Sequence, residues 1–198
     1  MKRAFLLLSL LLFSQCSLLN KPENNDGDTA LALLLGISAG CVIGGQAFTP
    51  SAGVTCSGGT ASGTGTLTAV GNKDEIFMQL SPSIGAGGYL RVFAYAPSGN
   101  ITHSSSVSVN ISDAGQMSNH QNFSGDGVPF TSGPSATFCL EFHGGHDHIL
   151  YKSGTCSGDA DDEAFFSKTT SQETWGFELS NATITSLTVF SDSQINEP

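Results

Sequence analysis

From residue 41 onward, apolar and polar side chains alternate with a period of two. Ile76, Met78 and Leu80 are separated by Phe77 and Gln79; Val107, Val109 and Ile111 by Ser108 and Asn110; Trp175, Phe177 and Leu179 by Gly176 and Glu178. Successive side chains of an extended chain point to opposite faces, so each run predicts a strand with one buried face. Tyr89 to Ala96, YLRVFAYA, is apolar on both phases and predicts a central strand; Ile184 to Phe190 predicts the last one. Turn-forming clusters such as APSGN, SGDG and TSGP lie between the runs. About eight to ten strands at this spacing predict an all-β domain over residues 41–198, an antiparallel two-sheet sandwich of which the jelly roll is one form.

Ahead of residue 41 the pattern differs. Lys2 and Arg3 precede an apolar run from Ala4 to Phe13. The run is shorter than the roughly 20 helical residues that span a bilayer and reads as a secretory signal over residues 1–15. Residues 16–28 are polar and suit a flexible tether. Asp28 as N-cap and Gly36 as stop then bracket a short predicted helix and its connection, residues 29–40.

The signal ends at Cys16 rather than at a small-x-small site. Phe13-Ser14-Gln15-Cys16 resembles a bacterial lipobox, in which the cysteine is acylated and becomes the first mature residue. Phe13 and Gln15 stand where Leu and Gly or Ala are usual, which is similar to the relaxed lipoboxes of spirochaete lipoproteins. The following SLLNKPENNDGD and the apolar Thr29 to Leu35 are similar to the start of leptospiral surface lipoproteins, a resemblance confined to the first 36 residues. It implies a lipid anchor at Cys16, of palmitate type, in the outer membrane, with the body on the cell surface or in the periplasmic leaflet. It also implies contact with host extracellular-matrix or serum proteins. The alternative is an ordinary cleaved signal with an incidental cysteine.

Charge narrows the partners. Seven basic against seventeen acidic residues give a formal charge of −10, which argues against nucleic acid and favours cations. The cysteines agree with export. With Cys16 assigned to lipid, Cys41, Cys56, Cys139 and Cys156 form an even set, which in an oxidising compartment reads as two disulfides. Their close spacing favours Cys41 with Cys56 and Cys139 with Cys156. Each bridge would close a loop of about 15 residues and stabilise by roughly 3 kcal/mol in the chain-entropy model. No pair has the short spacing that structural zinc prefers.

Two clusters carry candidate chemistry. EFHGGHDHIL, Glu141 to Leu150, holds three of the five histidines. With Gly144-Gly145 as a two-residue hairpin turn, His143 opposes His146, Glu141 opposes His148 and Leu140 opposes Ile149. Glu141, His143, His146 and His148 then share one face, with Phe138, Leu140, Phe142, Ile149 and Tyr151 on the core side. One carboxylate and three imidazoles suit zinc or a similar divalent ion. His146-Asp147-His148 resembles the His-x-His of cupins, although Lys152 and Ser153 stand where the cupin acid is expected. A solvated hairpin tip and a pH-responsive patch are the other readings. The second cluster is Asp159, Asp161, Asp162 and Glu163, able to supply oxygens to calcium or to form a solvated acidic loop. Calcium and the aromatics Tyr89, Tyr95 and Trp175 would suit a glycan-binding module, though all three aromatics also suit a strand core.

Evidence for an enzyme is thin. Gly36 to Gly40, GISAG, matches the hydrolase elbow in letters but lacks the βαβ succession that elbow requires. The Asn-x-Ser/Thr triplets at Asn100, Asn110, Asn122 and Asn181 are incidental in a bacterial lipoprotein. The expectation is a non-enzymatic envelope lipoprotein whose sandwich binds a partner or serves as structure. A metal- or carbohydrate-binding module is the alternative.

Overall fold

The computed structural model describes residues 41–123, 134–168 and 173–198. The expected signal, tether and helix, with Cys16 and the GISAG motif, lie outside these residues. The described chain is all β: β1 Cys41–Ile43, β2 Gln46–Pro50, β3 Val54–Ser57, β4 Thr60–Ala69, β5 Glu75–Ala96, β6 Val107–Ser112, β7 Met117–Gln121, β8 Phe138–His143, β9 His148–Ser153, β10 Gly158–Asp159, β11 Asp162–Phe165, β12 Thr174–Phe190 and β13 Ile195–Asn196.

Instead of two separate sheets, eleven of these strands form one antiparallel sheet folded on itself into a sandwich-like body: eight run in the order β1-β2-β4-β12-β5-β8-β9-β11, β3 pairs with β4, and β6, itself paired with β7, borders β5. The fold-over is made by β5 and β12, of 22 and 17 residues, which stay paired from Thr174–Ala96 to Phe190–Phe77. The first half of β5 borders β8 through Glu75–Leu80, and the second half borders β6 through Tyr89–Ala94. Between the halves the β5–β12 register shifts twice, at Ser180/Ala182 and Ile184/Ser186. Bulges of this kind bend a strand and sharpen its twist. Glycine is required at the bend: a Cβ on Gly88 would lie 2.4 Å from the Ser180 carbonyl oxygen. The runs Ile76–Leu80 and Tyr89–Ala96, expected as separate strands, are therefore one strand, and so are Trp175–Leu179 and Ile184–Phe190.

The apolar phases behave as the alternation predicts. Ile76, Met78, Leu80, Phe138, Leu140, Phe142, Ile149 and Tyr151 from one half join Leu90, Val92, Val109, Ile111, Trp175, Phe177 and Leu179 from the other in a single core. A bulge between Phe93 and Ala96 breaks the alternation at Tyr95, which takes φ +54° and enters the core. Its hydroxyl donates to the Asp74 carbonyl (2.8 Å), and its ring packs on Phe166 and Phe142. A left-handed tyrosine costs about 1–2 kcal/mol, which the filled core and the satisfied hydroxyl offset. Both expected disulfides are present, Cys41–Cys56 and Cys139–Cys156.

Candidate functional site

β8 and β9 turn one face to the core and the other outward. The connecting turn has four residues, Gly144 to Asp147, so the register is His143–His148, Phe142–Ile149 and Glu141–Leu150. This corrects the expected pairing of His143 with His146 and of Glu141 with His148. Asp147 takes the left-handed position at φ +56°, which aspartate tolerates. The turn is pinned from outside: Phe166 N–H donates to the Asp147 carbonyl, and Lys168 Nζ donates to the Gly144 carbonyl and to Asp74 Oδ1 (3.2 Å). Glu141, His143 and His148 do share the outer face, whereas His146 lies in the turn and is exposed.

The side chains do not converge as a metal quartet would. The His143 and His148 rings lie 4.7 Å apart, and His146 stacks on His148 at 5.9 Å. His143 sits between two carboxylates, with Nδ1 3.3 Å from Glu75 and Nε2 3.3 Å from Glu141. His148 Nδ1 faces Glu163 at 3.3 Å. The acidic run disperses as well. Asp159 accepts from the Asn196 amide, Asp161 from Ser153 N–H and Asp162 from Glu163 N–H, while Glu163 turns to His148. Among the described residues no group of three or more His, Cys, Asp or Glu side chains is placed to hold a metal ion.

Glu141 is the centre of this face, and it is fully buried although it points away from the main core. What covers it is the segment after β12. Glu141 Oε2 accepts from the Ser193 hydroxyl (2.6 Å), and Oε1 accepts from the Gln194 and Ile195 amides (2.6 and 3.2 Å). Ile195 drops into a small second core with Cys139, Leu150 and Ala160, closed by Cys156. Its strand, β13, pairs in parallel with β10 in the register Gly158–Ile195 and Asp159–Asn196, and Ala160 N–H donates to the Asn196 carbonyl. Burial works to raise the Glu141 pKa, but the His143 imidazole, the Ser193 hydroxyl and the Gln194 amide outweigh it, and the carboxyl titrates below its usual range. Sequence reasoning named Glu141 but not Ser193, Gln194 or Ile195. Their one signal is a lone isoleucine in an otherwise polar SDSQINEP.

His148 is held below the ordinary histidine value, first by burial, then by the neighbouring His143, against the pull of Glu163 and Glu197; His146 adds to the lowering. A depressed folded-state value means that the unfolded chain takes up the proton first. The associated stability is complete above about pH 6.5 and is lost as pH falls through the folded-state value. Urea midpoints are therefore expected to drop between pH 7.5 and pH 5, and His148→Gln to flatten that drop. Equal slopes in the two proteins would refute the assignment.

The outer face of the other half carries a second polar group. Arg91 Nη1 pairs with Glu178 Oε2 at 3.0 Å, its Nε donates to Asn110, and its guanidinium lies 4.0 Å over the Tyr89 ring. The Tyr89 hydroxyl also donates to Glu178. Of the three aromatics proposed for sugar stacking, Tyr95 and Trp175 are buried in the core. Tyr89 alone is partly open, and Arg91 lies across its ring.

No family model matches the sequence, and no curated protein matches it significantly. Among solved structures the chain is similar to the TRIM65 PSpry domain, with 10% identity and a TM-score of 0.50 over 81% of this chain and 96% of that one. At this identity the likeness concerns the fold, a sandwich-like antiparallel β architecture.

Proposed function

We propose that the chain is a lipid-anchored envelope lipoprotein, attached through Cys16 to the outer membrane, whose sandwich-like body binds a protein partner rather than catalysing a reaction. The observation that carries this reading is the cysteine usage. Cys41–Cys56 and Cys139–Cys156 account for every cysteine but Cys16, which fits an oxidising compartment and leaves that thiol for acylation. The binding role is supported by the layout of the outer faces, one built around Tyr89, Arg91, Asn110 and Glu178 and the other around Glu141. Host extracellular-matrix or serum proteins are the partners that the N-terminal resemblance suggests. A glycan is a second reading, in which the polar groups Arg91 and Asn110 and the one ring face of Tyr89 that Arg91 leaves uncovered would make the contacts. Among the described residues no side chains are gathered as a metal or calcium site would need.

Labelling of the producing cells with a radioactive fatty acid tests the anchor. The native chain is expected to incorporate label that Cys16→Ser loses entirely. An unlabelled native chain starting at Met1 would refute the reading. Protease treatment of intact cells then separates a body on the cell surface, which is cleaved, from one in the periplasm, which is protected.

A further inference from the structure

The segment Ser191 to Asn196 and the surface beneath it differ in how firmly they are built. The receiving surface belongs to the framework. Glu141 and Cys139 stand on β8, Leu150 stands on β9, and the Cys139–Cys156 bridge ties the loop before β10 to β8. The segment that fills it is held lightly: Ser191 to Gln194 and Asn196 are exposed, and Ile195 is the single buried side chain among them. It contributes two ladder residues, one apolar side chain and three hydrogen bonds to Glu141, few enough contacts for an element that opens below the free energy of global unfolding.

If the segment lifts, it uncovers a buried carboxylate beside an apolar pocket and a free edge on β10. That combination has specific requirements. Glu141 takes two consecutive backbone N–H groups and a hydroxyl two residues before the pocket side chain. The pocket of Cys139, Leu150 and Ala160 takes one branched aliphatic group. The β10 edge takes an extended backbone in parallel. These are the parts of peptide recognition by strand addition, in which main-chain hydrogen bonds give affinity and a side-chain pocket gives specificity.

We infer that this groove is a peptide-binding site which the chain's own Ser-Gln-Ile occupies in cis, and that its ligand is an extended Ser-x-Ile or Thr-x-Val type segment of a partner protein. The segment after β12 thereby acts as a built-in competitor. The inference deepens the binding-module reading and rests on it, but it does not rest on the anchor.

The test uses the full chain and a fluorescent peptide of sequence SDSQINEP, read by anisotropy. Ile195→Asp ejects the cis segment and leaves the groove intact. It is expected to bind the peptide about tenfold or more tightly than the native chain, whose groove is open only part of the time. A peptide with alanine in place of the isoleucine is expected not to bind, and Glu141→Gln added to Ile195→Asp is expected to abolish binding. Gln194→Pro, which removes one amide donor to Glu141, serves as a second opened variant should Ile195→Asp not fold. Folding of each variant is checked by circular dichroism. Absence of binding to a folded opened variant would overturn the inference, as would binding that survives Glu141→Gln. So would exchange of the segment between copies, seen as dimers of the native chain by light scattering, if the free peptide does not bind. Fatty-acid labelling is indifferent to all these outcomes, so this inference and the envelope reading fail separately.

Discussion

Glu141→Ala is expected to lower the unfolding free energy by about 3 kcal/mol, among the largest effects of any single substitution in the chain. The carboxylate accepts from Ser193 Oγ and from two backbone amides at 2.6 to 3.2 Å while fully buried. Removing one partner of a buried charged cluster costs about 3–5 kcal/mol when the remaining groups stay buried. Here the loss falls at the lower end, because the segment after β12 can lift and rehydrate its amides. It would forfeit instead the burial of Ile195, worth roughly 2 kcal/mol, together with the hydrogen bonds to Glu141. Urea unfolding measures the total, and native-state hydrogen exchange locates it. The amides of Gln194 and Ile195 should lose protection while those of β5 and β12 keep theirs. A mutant with an unchanged midpoint would show that the buried carboxylate is not what holds the segment.

The same residue shows how far the sequence could be read. Period-two alternation placed Phe138, Leu140, Phe142, Ile149 and Tyr151 toward the core and Glu141, His143 and His148 away from it, and the structure agrees. It did so despite a wrong register. The two-residue turn would pair His143 with His146, and the actual turn pairs it with His148, a shift of two residues that preserves every face. Gly144-Gly145 was misleading because neither glycine is in the left-handed region that a type I′ turn uses. Gly144 is needed for a different reason: a Cβ there would lie 2.1 Å from Asp74 Oδ1. That contact comes from the loop before β5 and has no local signal.

Other misreadings share this origin. Ser81 to Gly88, with Pro82 and three glycines, looks like a break between two strands, yet it is a bend within one, because β12 follows it with compensating bulges. The four acids from Asp159 to Glu163 look convergent, yet neighbouring side chains on an extended segment point to opposite sides, and each finds its own partner. The cover over Glu141 was illegible because a polar segment with one isoleucine carries no periodicity. Alternation was sufficient for which side chains face the core, and spacing for the cysteine pairing, because both are local. They fell short wherever a contact joins segments far apart in the chain.

The two disulfides offer the second large effect, and their comparison isolates what the outer groove contributes. Their spans are nearly equal, 15 and 17 residues, so the chain-entropy term is about 3 kcal/mol for each. Cys41→Ala with Cys56→Ala releases β1 and β3 at a sheet edge and should cost about that much. Cys139→Ala with Cys156→Ala also loosens the small core in which Ile195 sits. Cys41 and Cys139 are both buried, so a packing loss adds to the entropy term in each case, but only the second pair also loosens the seat of Ile195 and is therefore expected to cost about 1 kcal/mol more, with the excess residing in the segment after β12. Guanidinium midpoints of the two double mutants, compared with and without Ile195→Asp, decide the matter. In the Cys41/Cys56 background Ile195→Asp should lower the midpoint further, whereas in the Cys139/Cys156 background much of that loss has already occurred and the effects should fall short of additive. Full additivity in both backgrounds would mean that the bridge and the groove are independent, and that the pocket receiving Ile195 is not organised by the disulfide beneath it.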